Sequence, residues 1–430
     1  MSKQLKRSLT AECKENTTVM IQGWVKKIRH LGNISFLILR DRSGVMQCIL
    51  EHEWAGYKVE TESVVQIIGK VVATDKTELG VELLVEDIQL LNSSESIPFE
   101  VNKKKLQVGL DQMLHARTLS FRHERVKAIF TIQSALAQAF SEYLLEQSFT
   151  RIFTPKLVSQ GAEGGANVFQ IEYFGKEAYL AQSPQFYKQM MVAGGLERVF
   201  EIAPVYRAEH HNSSRHLNEY ISLDVELAFI EDVYEVMQLE TDVLRYMFQK
   251  VKQICAKELE LLQIEVPVIT EMPKLTVTEA QNILQKNYKK ESPFGDLDSE
   301  GEKLLGKYVK ETYNSDFVFI THYPKETRPM YTIPNKENPS ITDSFDLLYK
   351  GLEITSGAQR IHEYDLLARS FEEKGLHIEN FESYMDTFRY GCPPHGGFAI
   401  GLERLVYKLL NLSNVREASA FPRDCTRLVP

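Results

Sequence analysis

Between residues 18 and 92 the chain passes through five short runs of β-branched or alternating apolar residues: VMIQGWVKKI, ISFLILRDRSG, VMQCILE, SVVQIIGKVVAT and VELLVEDIQLL. Turn signals at Leu31-Gly32-Asn33, Ser43-Gly44 and Leu79-Gly80 punctuate them. Strands this short and close in sequence can bury an apolar face only against one another, and closing into a barrel removes the exposed edges. The pattern predicts a five-stranded OB-type β-barrel over residues 1–97, a fold whose strand faces and loops bind single-stranded bases. Another small β-domain would share the same pattern.

Residues 98–124 are polar, carry Pro98 and Lys103-Lys104-Lys105, and read as a hinge or linker. From 125 to 430 the periodicity changes. Val126, Ile129, Phe130, Ala137, Phe140 and Leu144 recur at helical spacing between Arg125 and Gln147, and Met237, Leu244, Phe248, Val251 and Leu259 do so from about Tyr234 to Leu262. Between and after these two helices lie strands at irregular separations: EAYLAQS, RVFEIAPVYRAE, YISLDVELAF, DFVFITHYP, SFDLLYKGLEIT and GGFAIGL. They do not alternate with helices, so the prediction is an α+β domain with a mixed or antiparallel sheet flanked by helices.

A formal charge of −9, from 50 basic and 59 acidic side chains, argues against binding nucleic acid through a uniformly positive surface. A local basic face remains available at Lys26, Lys27, Arg29, His30, Arg40 and Arg42. No run of 18 apolar residues occurs and the start lacks an apolar leader core, so a cytoplasmic protein without membrane contact is expected. The five cysteines are scattered without a CxxC pair, which suggests neither a disulfide framework nor a zinc site.

Three stretches carry chemistry once phosphate is considered. In Val205-Tyr206-Arg207-Ala208-Glu209, arginine and glutamate share one face of a strand end and can meet a phosphate and a base amine together. Gly396-Gly397-Phe398-Ala399-Ile400-Gly401-Leu402-Glu403-Arg404 is a strand breaking into a helix, with glycines that admit a ligand and an arginine in reach of a terminal phosphate. Asp346, Glu353 and Ser356 in FDLLYKGLEITSG supply the hard oxygens that suit magnesium. Each alone would pass for an ion pair, a turn or a surface.

Together they resemble the class II aminoacyl-tRNA synthetases, and within them the aspartyl enzymes of archaeal and eukaryotic type, over nearly all 430 residues. The helix and strand ending at Pro155 look like the first class motif, Arg207 to Glu209 the second and Gly401 to Arg404 the third; the amino-terminal strands look like the anticodon-binding barrel. The resemblance implies a homodimer and a class II catalytic domain. It implies activation of L-aspartate by ATP to aspartyl-adenylate and transfer to the 3′ end of tRNA(Asp), and leaves open whether tRNA(Asn) is charged too. Arg207 is then expected at the α-phosphate and Glu209 at adenine, with Ala208 between them. Arg215, His216 and Leu217 are expected to pack on ATP, Gly401, Leu402, Glu403 and Arg404 to form the third-motif contact with Arg404 on the γ-phosphate, and Asp346, Glu353 and Ser356 to hold Mg2+.

Lys188 in Gln182-Ser183-Pro184-Gln185-Phe186-Tyr187-Lys188, and Arg360 beyond Ser356, match the family's pair for the aspartate side chain, two cations in one small pocket. Gln185, Asp224 and Glu163, the last in the lid-like GAEGGA, are expected at the substrate ammonium, with Arg207 and Ser356 also bordering the amino acid. His322 and His395 read as packed or solvent-facing, since this reaction requires no general base of that kind. His210-His211 replaces the acid often found after Arg-Ala-Glu. Lys26 and Glu78 stand where the family reads the last anticodon base, and match neither strict nor relaxed reading. The competing readings are an asparaginyl enzyme, against which Lys188 speaks, a catalytically inactive RNA-binding relative, and an asparagine-making relative, which tends to lack the barrel.

Overall fold

In the computed structural model, which describes residues 5–103, 105–161, 167–210 and 212–429, the alternation of the amino-terminal strands becomes an inside and an outside. Thr18–Leu31 pairs antiparallel with Ile34–Arg40, and that strand with Val45–Leu50. Val45–Leu50 runs parallel to Val81–Asn92, which pairs with Val64–Ala73, and Val64–Ala73 closes the barrel on Thr18–Leu31. Ile21, Val25, Leu37, Leu39, Met46, Cys48, Val65, Ile67 and Leu83 fill the interior. A Cβ at Gly23 would lie 2.3 Å from the Arg40 carbonyl oxygen and one at Gly69 2.1 Å from that of Leu84, so both close approaches require glycine.

Lys26 sits where the pairing of Thr18–Leu31 slips by one residue, and Glu78 is exposed in the turn before Val81. Arg40 does not belong to an open basic face. Its guanidinium lies 2.7 Å from Glu62 and 3.1 Å from Asn102, bracing the barrel against its own carboxy-terminal extension.

The chain divides into the units Met1–Gly109 and Leu110–Pro430, so the boundary falls inside the stretch that reads as a linker. Phe99 and Val101 are buried, while Leu110–His115 and Arg117–Ser120 are short helices. Arg117, 2% exposed, donates to the carbonyls of Ala420 and Ser419 at 2.8 and 2.7 Å and so belongs to the second unit. Polar composition gives no sign of this, because a buried arginine satisfied by carbonyls reads in sequence like any linker arginine.

The second unit is built on an eight-stranded sheet. Six strands run antiparallel in the order Phe317–Thr321, Ser344–Tyr349, Glu353–Gln359, His395–Gly401, Glu219–Ala228 and Arg198–Tyr206; Lys274–Thr276 and Thr150–Arg151 add parallel edges. Helices Glu124–Glu146 and Val233–Ile254 bury their apolar stripes under one face, against Leu223, Val225, Phe345 and Phe398. The second helix stops at Cys255 and a new one, Ala256–Leu262, follows. Apolar spacing continues across the break, which has no Pro or Gly to announce it. Glu240 interrupts that stripe: fully buried beside Thr355, its carboxyl is pushed up to about 8 by burial. Among the described residues no helix is long and apolar enough to cross a membrane.

Because side chains alternate across a strand, the face opposite the helices collects the other set. Register then aligns four neighbours: Asp346 opposite Ser356, Ser356 opposite Ala399, Ala399 opposite Asp224. Residues 122 positions apart in sequence thereby share one row across the sheet.

Candidate active site

That row floors a cavity of about 360 Å³. Gln185, Lys188, Arg207, Glu209, Arg215, His216, Leu217, Asp224, Asp346, Glu353, Ser356, Arg360, Gly401, Glu403 and Arg404 all line it. Ala208 and Leu402 do not: the Ala208 N–H donates to the Asn167 carbonyl at 2.7 Å, and Leu402 lies in the core under the sheet. Glu163 falls outside the described residues, and Lys26 and Glu78 are barrel residues.

At one end two cations and two carboxylates are enclosed together. Lys188, on the helix Gln185–Met191, is 2% exposed and puts Nζ 3.0 Å from Asp224 and 3.3 Å from Glu226. Arg360 directs Nε to Glu226 at 3.0 Å and Nη2 to the Gly397 carbonyl at 3.0 Å. Its Nη1 hydrogens are the part of the fork left over from these bonds. Burial pushes the Glu226 carboxyl up, yet Arg360 and then Lys188 outweigh it and hold Glu226 below the usual carboxylate range. Gly397 is what makes room, since a Cβ there would meet Glu226 Oε2 at 2.3 Å. Buried charges are tolerated only when paired, and here each has an opposite partner.

The other end is less settled electrostatically. Glu353 begins the strand Glu353–Gln359, and its carboxyl is pushed up to about 7, first by enclosure, then by the like charge of Asp346. Arg404, in the first turn of Leu402–Leu409, donates to the Glu353 carbonyl at 3.1 Å and stands 3.8 Å from its carboxylate. Arg215 grips Glu302 through both terminal nitrogens at 2.7 and 3.0 Å, and Glu302 also accepts the Glu353 N–H at 3.0 Å. Asn218 holds the Arg207–Glu209 turn through both carbonyls, at 2.8 and 3.0 Å. Arg207 itself lies 5.8 Å over the Tyr220 ring. The Glu403 carboxyl accepts the Ile221 N–H at 3.0 Å and is pushed up to about 8 by burial, so it ties the helix start to the sheet.

Sequence reading missed three charged residues of this site. Glu226 is shared by both cations, and Glu302 supports both Arg215 and Glu353. Arg328 lies 3.6 Å over the Tyr323 ring, bonds Asp346 at 2.7 Å and reaches Ser356 at 3.3 Å, so Asp346 is half committed to a guanidinium. Two acids two apart in DVELAF, both on one strand face, were a legible signal for Glu226; nothing in its loop announces Arg328. Among the described residues no three of His, Cys, Asp and Glu converge as a metal site. Glu353, Asp346 and Ser356 line this end of the cavity, and hard oxygens of this kind suit magnesium.

Comparison with known proteins bears on both units. Residues 110–425 match the family model described as tRNA synthetases class II (D, K and N), and residues 19–91 match OB-fold nucleic acid binding domain. An aspartate-tRNA(Asp/Asn) ligase of Deinococcus radiodurans is 47% identical over 100% of both chains. An aspartate-tRNA(Asp) ligase of Pyrococcus horikoshii is 42% identical over 96% of each. Among solved structures, asparaginyl-tRNA synthetase from Pyrococcus horikoshii complexed with asparaginyl-adenylate has a TM-score of 0.92 at 31% identity, covering 99% of this chain and 100% of that one. The backbone is thus close to that of an enzyme named for asparagine, while these sequence relatives are named for aspartate.

Proposed function

Since the chain belongs to the class II tRNA synthetases of the D, K and N group, we propose that it activates L-aspartate with ATP and transfers the aspartyl group to tRNA(Asp), and to tRNA(Asn) as well. The observation that carries this reading is the enclosed quartet of Lys188, Arg360, Asp224 and Glu226. A substrate ammonium can take Asp224 as its partner, with Gln185 beside it. Lys188 is then released toward the substrate's side-chain carboxylate, which also meets Nη1 of Arg360. Aspartate exchanges partners with the quartet and leaves no charge unanswered. Asparagine, with a neutral amide, would leave a desolvated cation without its anion.

In the first step an α-carboxylate oxygen of aspartate attacks the α-phosphorus of ATP, and the bond to pyrophosphate breaks. Charge builds on the α-phosphate oxygens, where Arg207 stabilises it, while Glu209 orients the adenine amine. Arg215, His216 and Leu217 pack on the nucleotide, and Arg404 holds the γ-phosphate. Glu353 and Ser356, with Asp346 shared with Arg328, would hold Mg2+. When bound, the ion neutralises phosphate charge. In the second step a terminal ribose hydroxyl of tRNA takes the aspartyl group and AMP leaves.

The barrel is the unit suited to the anticodon, with Lys26 and Glu78 at its reading edge. Phe153 and Leu157, 79% and 50% exposed on either side of Pro155, favour a homodimer that covers them. Sedimentation at micromolar concentration is expected to show the dimer, and a monomer there would reject it. The decisive assay for function is pyrophosphate exchange followed by charging of purified tRNA(Asp) and tRNA(Asn). Exchange dependent on aspartate, with both tRNAs acylated, is expected. Exchange driven by asparagine would move the chain to the asparaginyl branch, and no exchange at all would favour an RNA-binding role.

A further inference from the structure

We propose that His395 is a positioning residue for amino-acid recognition: acting through Gln189, it fixes which end of the Gln185 side-chain amide faces the cavity. This deepens the reading in which Gln185 meets the substrate ammonium, and rests on it. The Pro393 carbonyl oxygen lies 2.8 Å from His395 Nδ1. A carbonyl only accepts, so Nδ1 carries the hydrogen. His395 is fully buried, and burial outweighs the opposing pull of Glu226 to push its pKa down to about 4. The ring is therefore neutral, and Nε2 offers only a lone pair.

Gln189 Nε2 lies 2.8 Å from that lone pair, so its NH2 end must face the histidine. The reverse orientation would set two acceptors against each other at the same distance. With its nitrogen so directed, Gln189 presents Oε1 on the far side, where it accepts from the Tyr384 hydroxyl and from Gln185 Nε2, each at 3.0 Å. Gln185 thereby spends its nitrogen inward and keeps its amide oxygen for the cavity it lines. An ammonium donates in every direction and accepts in none, so an oxygen is the end it requires.

Tyr384 cannot set this polarity, because a hydroxyl donates or accepts as its neighbour demands; a neutral histidine with one nitrogen committed to a carbonyl can. Gln189 is fully buried, so no water competes for either end of its amide. The His395 carbonyl also accepts the Arg360 N–H at 2.8 Å, so one residue orders both the amide near the ammonium and the backbone of the side-chain cation.

The test is steady-state pyrophosphate exchange with the full-length enzyme, separating KM for aspartate from KM for ATP. In His395→Phe, which keeps the ring volume and loses both nitrogens, KM for aspartate is expected to rise about tenfold, the worth of one hydrogen bond to a charged group. KM for ATP and kcat should stay within about twofold. His395→Gln, whose side-chain oxygen can accept from Gln189, should restore most of the aspartate affinity. An aspartate KM unchanged in folded His395→Phe, or aspartate and ATP KM rising in parallel, overturns the proposal. If His395→Phe does not fold, Gln189→Met takes the same measurement, with the same selective loss expected and the same outcomes against it. A wild-type enzyme without aspartate-dependent exchange would instead count against the functional reading itself.

Discussion

The two ends of the cavity solve opposite electrostatic problems. At the amino-acid end Lys188 and Arg360 are 2% and 5% exposed, and Asp224 and Glu226 answer them within the protein. At the phosphate end the side chains of Arg404 and Glu353 are 25% and 36% exposed, and Glu353 is crowded by Asp346 and Glu302. The first end is complete in charge before anything binds, so selectivity there comes from exchanging partners. The second gains most from an arriving cation, which relieves the repulsion that Asp346 and Glu302 exert on Glu353. Under the proposed function, the strongly paired end meets the group that distinguishes aspartate from asparagine, where a misfit costs most, and the incomplete end meets ATP and its metal.

The largest test of this contrast removes the shared ammonium. Lys188→Met leaves Asp224 and Glu226 with Arg360 alone in an enclosed site, a change of about 3–5 kcal/mol for a broken buried pair. Aspartate-dependent exchange is expected to fall about a thousandfold, while equilibrium ATP binding changes by less than about threefold, because the phosphate end does not share the lysine. Near-normal exchange in the variant would show that the quartet does not select the substrate.

How the two ends appeared in the sequence follows the same division. Glu353 and Arg404 stand in short runs whose residue types suggest phosphate and metal chemistry only when the runs are taken together, Lys188 and Arg360 become legible only through the family resemblance, and the barrel and the two long helices follow from periods of two and 3.6. The residues that escaped are those whose meaning depends on a distant partner. Glu226 gains its role only when Glu219–Ala228 lies beside His395–Gly401, and Arg328 only when its loop folds over Asp346. Sequence leaves His395 as packed or solvent-facing, and it is packed; what sequence cannot show is that it meets Gln189 and, through it, Gln185, two amides with a direction to be set. Within the 98–124 stretch, which contains the division between the two units, polar composition does not show which residues belong to either unit.

The smallest expected effects belong to the phosphate end and sharpen the contrast. The Glu353 carboxyl is pushed up to about 7 by burial and by the charge of Asp346, so a proton competes for it as the pH falls through neutrality. With magnesium limiting, exchange should therefore decline as the pH falls from 8 to 6, and excess magnesium should move the decline to lower pH, because metal and proton compete for one carboxylate. Glu302→Gln removes a neighbouring charge that raises Glu353, so the midpoint should shift toward acid by less than about one unit. The same variant weakens the fork that holds Arg215, whose side chain is 16% exposed. KM for ATP should rise about two- to threefold, roughly 0.5 kcal/mol, as for a partly screened ion pair. KM for aspartate should not change, since no member of the quartet touches Glu302 in the structure's ion pairs. A midpoint that stayed put or moved toward base, or an aspartate KM that rose with that for ATP, would mean that the two ends are one electrostatic unit after all.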